Sequence, residues 1–292
     1  MATLASLLTL TALCATPITQ RDIYVDGLRI HVREAGPEGA PAVALLHGFM
    51  VSSATFEALM TQLSGRYRVI AYDAPGHGDS ARPARRQRGR YTAAVAARVL
   101  EALELEQVIV VGQSMGAMTA LQLAARWPGR VQHVIAVNPA GFSPGFWRQR
   151  GMRLLFSPGA YATGPALGYW LAARGSSMAF EAQSQRDLDE QLSLRRDRGW
   201  ARAVASVYRT LAAGELDEVA PRVEVPVTLV LGEQDAAYPE SYRARAAGLL
   251  GDAQVVRLPG CGHNVHHDAP ARLVRVIDSV AAGERVPATI FP

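Results

Sequence analysis

The sequence predicts an α/β fold: a mostly parallel, doubly wound sheet with helices on both faces and a helical cap inserted into it. Three observations predict it. Apolar strand runs alternate with helical patterns over residues 42–137 and again over 227–281. Between them, residues 141–222 carry helical patterns and no convincing strand. A Gly-x-Ser-x-Gly turn, residues 112–116, joins a β-branched strand to an Ala/Leu-rich helix. Alternation without runs of hairpins implies parallel pairing, because a parallel neighbour is reached through a crossover.

The elements follow in order. Residues 22–34 read as two short strands around Asp26-Gly27, a pair suited to the positive φ of a tight hairpin turn. Strands are expected at 42–46, 68–72, 107–111 and 131–137, with helices at 56–64, 91–103 and 115–127, the last stopped by Pro128-Gly129. After the cap, strands at 227–231 and 254–258 alternate with helices at 239–250 and 269–281. The expected organisation is an extension at 1–20, a core formed by 21–140 with 223–292, and a cap at 141–222.

Composition narrows the class. With 292 residues, 49% hydrophobic and 19% charged, the chain can bury a large core and is not disordered. Two cysteines, Cys14 and Cys261, make no disulfide framework, and no Cys/His group has zinc-ligand spacing, so neither metal nor redox cofactor is expected. The net charge of +4 comes from 30 arginines and no lysine. These are spread from Arg21 to Arg285, and only residues 82–90 form a basic run, read as a solvated loop rather than a nucleic-acid patch. No apolar stretch reaches the 18 residues of a membrane span. The apolar N-terminus lacks the positive charge of an export signal, its first charge being Arg21. It reads as a surface helix packed by Leu4, Leu7 and Leu8 or as an ill-ordered extension, with cytoplasmic residence expected and export the alternative.

The chemistry centres on Gly112-Gln113-Ser114-Met115-Gly116. A turn this tight between strand and helix holds its serine in a strained backbone conformation and leaves no room for a Cβ two residues to either side. The helix N-terminus behind it favours developing negative charge. A serine hydroxyl is a weak nucleophile and needs a base oriented by a carboxylate. Asp235, with Glu233 as its rival, follows one predicted strand; His263, with His266 and His267 as rivals, follows the last. Both lie beyond strand C-termini, where parallel sheets place their sites.

These motifs, with Leu45-Leu46-His47-Gly48-Phe49-Met50 and Asp73-Ala74-Pro75-Gly76-His77-Gly78-Asp79-Ser80, resemble those of the α/β-hydrolase superfamily over nearly everything outside the cap. The resemblance implies the triad order Ser114, Asp235, His263 and an oxyanion hole from the backbone N–H groups of Phe49 and Met115. Asn138 stands where some relatives carry an alternative acid; as an amide it cannot act so. His77 reads as a loop-ordering residue and Cys261 as a packed one.

The expected activity is hydrolysis of a carboxylic ester, thioester or lactone through an acyl-enzyme. Seven aromatics between residues 142 and 170 suggest a pocket for an apolar acyl part, with Phe142, Phe146, Trp147, Tyr169 and Trp170 lining it. Alternatives on the same triad are a carbon–carbon bond hydrolase and a cofactor-free perhydrolase. The first is weakened because Gln113 and Ala117 replace the Asn and Gly usual in such relatives. A ligand-binding module that has lost turnover is the non-enzymatic alternative. The expected partner is a small molecule; oligomeric state is not legible.

Overall fold

The computed structural model describes residues 16–83, 87–143 and 198–291. Eight strands form one sheet: β1 (Thr19–Val25), β2 (Leu28–Ala35), β3 (Ala42–Leu46), β4 (Arg68–Tyr72), β5 (Val108–Gln113), β6 (Val131–Val137), β7 (Val227–Gly232) and β8 (Gln254–Leu258). Their order across the sheet is β1-β2-β4-β3-β5-β6-β7-β8. β1 and β2 pair antiparallel through Asp26 and Gly27, both at positive φ, and β2 is antiparallel to β4. Every pair from β4 to β8 is parallel.

Alternation along each central strand builds two cores. On β5, Val108 and Val110 face one core while Ile109 and Val111 face the other. β3 divides likewise, Ala44 and Leu46 against Val43 and Leu45. Strands buried on both faces read as continuous apolar runs, which is why they were visible in the sequence. α2 (Gly89–Ala102) and α3 (Met115–Arg126) cover the first core. α1 (Glu57–Leu63) and the last helix, α8 (Pro270–Ala281), cover the second.

Two further helices are described from the expected cap, α4 (Arg198–Leu211) and α5 (Leu216–Val219), followed by α6 (Glu240–Leu249) in the core. Residues 203–208 of α4 are buried without interruption, so neighbours cover more than one side of it. Residues 1–15 of the expected 1–20 extension, residues 84–86 of the basic run and the aromatic-rich segment 144–197 lie outside the described residues, while the last two residues of that extension, Thr19 and Gln20, already belong to β1. Among the described residues no helix is long and apolar enough to cross a membrane.

His266 and His267 sit on a separate single turn, α7 (Val265–Asp268), ahead of the helix that follows. Ala269 breaks the path at φ −151° and ψ 60°, and Pro270 opens α8. A residue before proline is disfavoured in the helical region, so one continuous helix could not form.

Candidate active site

Ser114 stands between the end of β5 and the start of α3 with φ 53° and ψ −110°. No ordinary side chain prefers that region, so neighbours must hold it there. Its N–H donates to the Val137 carbonyl at 2.9 Å, and its carbonyl accepts from Met118 and Ala140, each at 3.1 Å. The two glycines of the motif have different reasons. A Cβ on Gly112 would meet the Gly116 and Ala117 backbone across the turn. A Cβ on Gly116 would strike the Leu46 carbonyl at the end of β3. The turn is thus tight against itself and against the adjacent strand.

Asp235 and His263 meet. The His263 Nδ1–H donates to Asp235 Oδ2 at 2.9 Å, and both side chains are buried. The second oxygen, Oδ1, accepts from the Ala237 N–H at 2.8 Å, which aims the carboxylate. Glu233, the rival acid, is exposed. His266 and His267 instead converge on the Thr55 hydroxyl, with Nε2 distances of 2.9 and 2.7 Å. Burial holds His266 well below the usual histidine range and brings His267 down to about 4.

The loops carrying Asp235 and His263 lie against each other. The Glu233 and Gln234 N–H groups donate to the Leu258 and Cys261 carbonyls, and a Cβ on Gly232 would meet the Gly262 carbonyl. Two side chains that the sequence did not single out as holding this loop bind its main chain. Gln113, immediately before Ser114, donates from Nε2 to the His263 carbonyl at 3.1 Å. Asn138, at φ 41° after β6, donates from Nδ2 to the Gly262 and His263 carbonyls. Asn138 Oδ1 accepts the Gly232 N–H at 3.0 Å. The signals were faint: a variable position inside the motif, and an asparagine where a strand ends.

The loop after β3 runs beside Ser114, a Cβ on Gly48 falling 3.8 Å from that of Ser114. His47 fixes this loop. Its Nδ1–H donates to the Gly48 carbonyl at 2.7 Å, and its Nε2 accepts the Ala74 N–H at 2.9 Å. Burial holds its pKa down, which preserves the neutral tautomer that both bonds require. Phe49 follows in this loop, and Met115 is the first residue of α3, where N–H groups have no carbonyl partner within the helix.

Of the expected pocket residues, Phe142 is buried, its ring edge-on to Tyr242 at 6.0 Å. Tyr242 stacks on Tyr238 at 4.4 Å, and Tyr238 meets the His263 ring at 5.3 Å. Phe146, Trp147, Tyr169 and Trp170 lie outside the described residues. Cys261 packs beneath the His263 loop, where burial pushes its thiol up and Arg272 donates to its sulfur at 2.9 Å. His31, Asp73 and Asp79 bring possible metal-ligand atoms within 4.8 Å of one another. However, Asp73 already accepts from the Ser53 N–H and hydroxyl and the Asp79 N–H, at 2.6–2.8 Å. That is how a carboxylate orders a loop, and it leaves little lone-pair capacity for a cation.

Comparison with known proteins identifies the family. A model of the alpha/beta hydrolase family matches residues 43–276. The chain belongs to the alpha/beta hydrolase family. Among family relatives, it is 32% identical to the magnesium-chelatase 30 kDa subunit of Rhodobacter capsulatus, over 82% of this chain and 86% of that one. It is 27% identical to a 2-(acetamidomethylene)succinate hydrolase of Mesorhizobium japonicum, over 88% and 93% of the two chains. Its fold is similar to the crystal structure of an enol-lactonase from Burkholderia xenovorans LB400, with TM-score 0.75 and 22% identity, over 89% and 100%. The sheet order and the strand-to-helix turn at Ser114 are what an alpha/beta hydrolase requires of its framework.

Proposed function

We propose that this alpha/beta hydrolase is a serine hydrolase that cleaves a carboxylic ester, thioester or lactone with an apolar acyl part. The observation that carries the reading is the buried Asp235–His263 hydrogen bond, 2.9 Å long. Its main chain is tied to Gln113, the residue before a serine strained at positive φ. A strained serine, a buried carboxylate–imidazole pair and a tie between them are expensive to maintain for structure alone.

In the proposed reaction Asp235 keeps the proton of His263 on Nδ1, so that Nε2 is the free base. Nε2 takes the Ser114 hydroxyl proton as the oxygen attacks the acyl carbon. The N–H groups of Phe49 and Met115 hold the oxyanion, each worth about a hundred- to a thousand-fold in turnover. His263 returns the proton to the leaving group, and water then clears the acyl-enzyme by the same steps. Hydrolysis is also what the name of the Mesorhizobium relative records.

Turnover of p-nitrophenyl acetate and butyrate tests the reading, with covalent labelling by a fluorophosphonate probe and Ser114→Ala as control. Wild-type protein that neither turns over nor is labelled sinks it. A meta-cleavage dienoate assayed beside the esters separates ester from carbon–carbon bond cleavage.

A further inference from the structure

One buried amide meets two loops of the site and precedes its serine. Gln113 ends β5 on the face that Ile109 and Val111 share, a face otherwise apolar, and is 4% exposed. A polar side chain in such a place needs partners. Its Nε2 finds two acceptors on the histidine loop, the His263 carbonyl at 3.1 Å and Asn264 Oδ1 at 3.4 Å. Two acceptors there fix which end of the amide is nitrogen, and so which end is Oε1.

Oε1 lies against Gly48, in the loop after β3. A Cβ on Gly48 would strike Gln113 Oε1. The next nearest atoms are Cδ of the same amide at 3.4 Å and Ser114 Cβ at 3.8 Å, both ordinary contacts. Gly48 is not among the residues at positive φ, so its backbone does not itself demand glycine. What keeps a side chain out of position 48 is the Gln113 amide.

Three segments therefore meet on one planar group. Ser114 follows Gln113 in the chain, His263 hangs from the carbonyl that the amide binds, and Phe49 follows the glycine that the amide touches. A shorter side chain would leave the His263 carbonyl without this donor, and a side chain at 48 would push the amide off it.

We infer that Gln113 is a positioning residue that sets the spacing of the base and the oxyanion loop about Ser114, and that Gly48 lacks a side chain to admit its amide. This rests on the proposed hydrolase reading and adds to it the group that holds its parts in register. Gln113 acts through the main chain of His263 and through Gly48.

The test measures kcat and KM for p-nitrophenyl butyrate on wild type, Gln113→Ala, Gly48→Ala, the double variant and Gln113→Met. Each single variant should lose about thirty-fold in kcat with KM little changed, as for a small misplacement of a reacting group. In the double variant the vacated room takes the alanine, so its loss should equal that of Gln113→Ala; independent effects would multiply to about a thousand-fold. Gln113→Met keeps the length and drops both donors, and should lose as much as Gln113→Ala. Multiplied losses, or a wild-type rate in Gln113→Met, overturn the inference. Gly48→Ala should fold with a urea midpoint near that of wild type, because only the mobile end of Gln113 has to move; an unfolded protein overturns the pairing with Gly48, and Gln113→Met still decides the tie to His263.

A second arm needs no turnover. The His263 Nδ1 proton, bonded to Asp235, is followed by NMR as it exchanges with water. Exchange should quicken about tenfold in Gln113→Met and in Gly48→Ala, since the loop opens more readily once untied. An unchanged rate in both overturns the inference. Absence of turnover and of fluorophosphonate labelling in every protein would sink the hydrolase reading alone, and the exchange rate would still decide whether Gln113 holds the loop.

Discussion

Asn138 holds His263 by its main chain: the amide Nδ2 donates to the His263 carbonyl at 3.1 Å, while Oδ1 receives the Gly232 N–H at 3.0 Å. One side chain therefore joins the end of the strand that precedes Asp235 to the loop that carries the imidazole. Substituting Asn138→Asp removes the donor and turns an acceptor toward two carbonyls. We expect kcat for p-nitrophenyl butyrate to fall roughly a hundred-fold with KM little changed, as for a small misplacement of a reacting group. Asn138→Ala should fall less, since it adds no repulsion. Equal kcat in all three proteins would refute the positioning role.

Asp235→Asn keeps the shape of the side chain and loses the charge. Its Nδ2 would turn toward His263 Nδ1 and favour the tautomer that has no free base at Nε2. About a 10⁴-fold loss in kcat at neutral pH is expected, recovered in part at alkaline pH. The measurement is a pH profile of kcat beside wild type; a loss under tenfold would contradict the assignment.

Gly116→Ala should be severely destabilising, because its Cβ would meet the Leu46 carbonyl, which is strand backbone and cannot swing away. A loss of about 3 kcal/mol in urea unfolding is expected, at the upper end of the range for overpacking. Gly129→Ala is the control. A Cβ there meets nothing within 4 Å, so its urea midpoint should stay close to that of wild type.

Acid should destabilise the fold before the carboxylates titrate. His77 and His267 have folded pKa values lowered to about 3 and 4 by burial, against about 6.5 unfolded. A group that is neutral in the fold and protonated in the unfolded chain contributes its stability above pH 6.5. That contribution is lost as pH falls toward the folded value, by about 1.4 kcal/mol per pH unit for each histidine. Urea midpoints between pH 7 and 4.5 should decline accordingly, and His267→Phe should flatten the slope. An identical slope in that variant would dismiss His267 as a contributor.

The strands and helices of the core were legible because their residues carry the signal locally. β5 reads Val-Ile-Val-Val and is buried on both faces, and the glycines at 112 and 116 mark a turn that no other residue fits. Asp235 and His263 could be named as candidates from their places after strands. The resemblance favours Asp235 over Glu233, but local pattern alone does not, because both lie in one loop and the choice depends on which one turns inward. The sequence likewise favours His263 by its place after the last strand, and folding takes its rivals elsewhere, the Nε2 atoms of His266 and His267 meeting the Thr55 hydroxyl more than 200 residues earlier.

Local pattern and propensity thus decided the architecture: where strands alternate, where a glycine-flanked serine turns into a helix, and in what order the candidate groups come. Folding in three dimensions decided the partnerships. Asn138 could be seen beforehand as an amide unfit to replace the acid, yet its work on the Gly232 and Gly262–His263 backbone appears only once β6, β7 and β8 lie side by side. Gln87 reads as one polar residue in a basic run until α4 and the loop at Gly76 enclose it. The physical reason is range. Periodicity and turn chemistry act over a few residues, whereas desolvation and hydrogen-bond pairing depend on which distant segments exclude water from the same place.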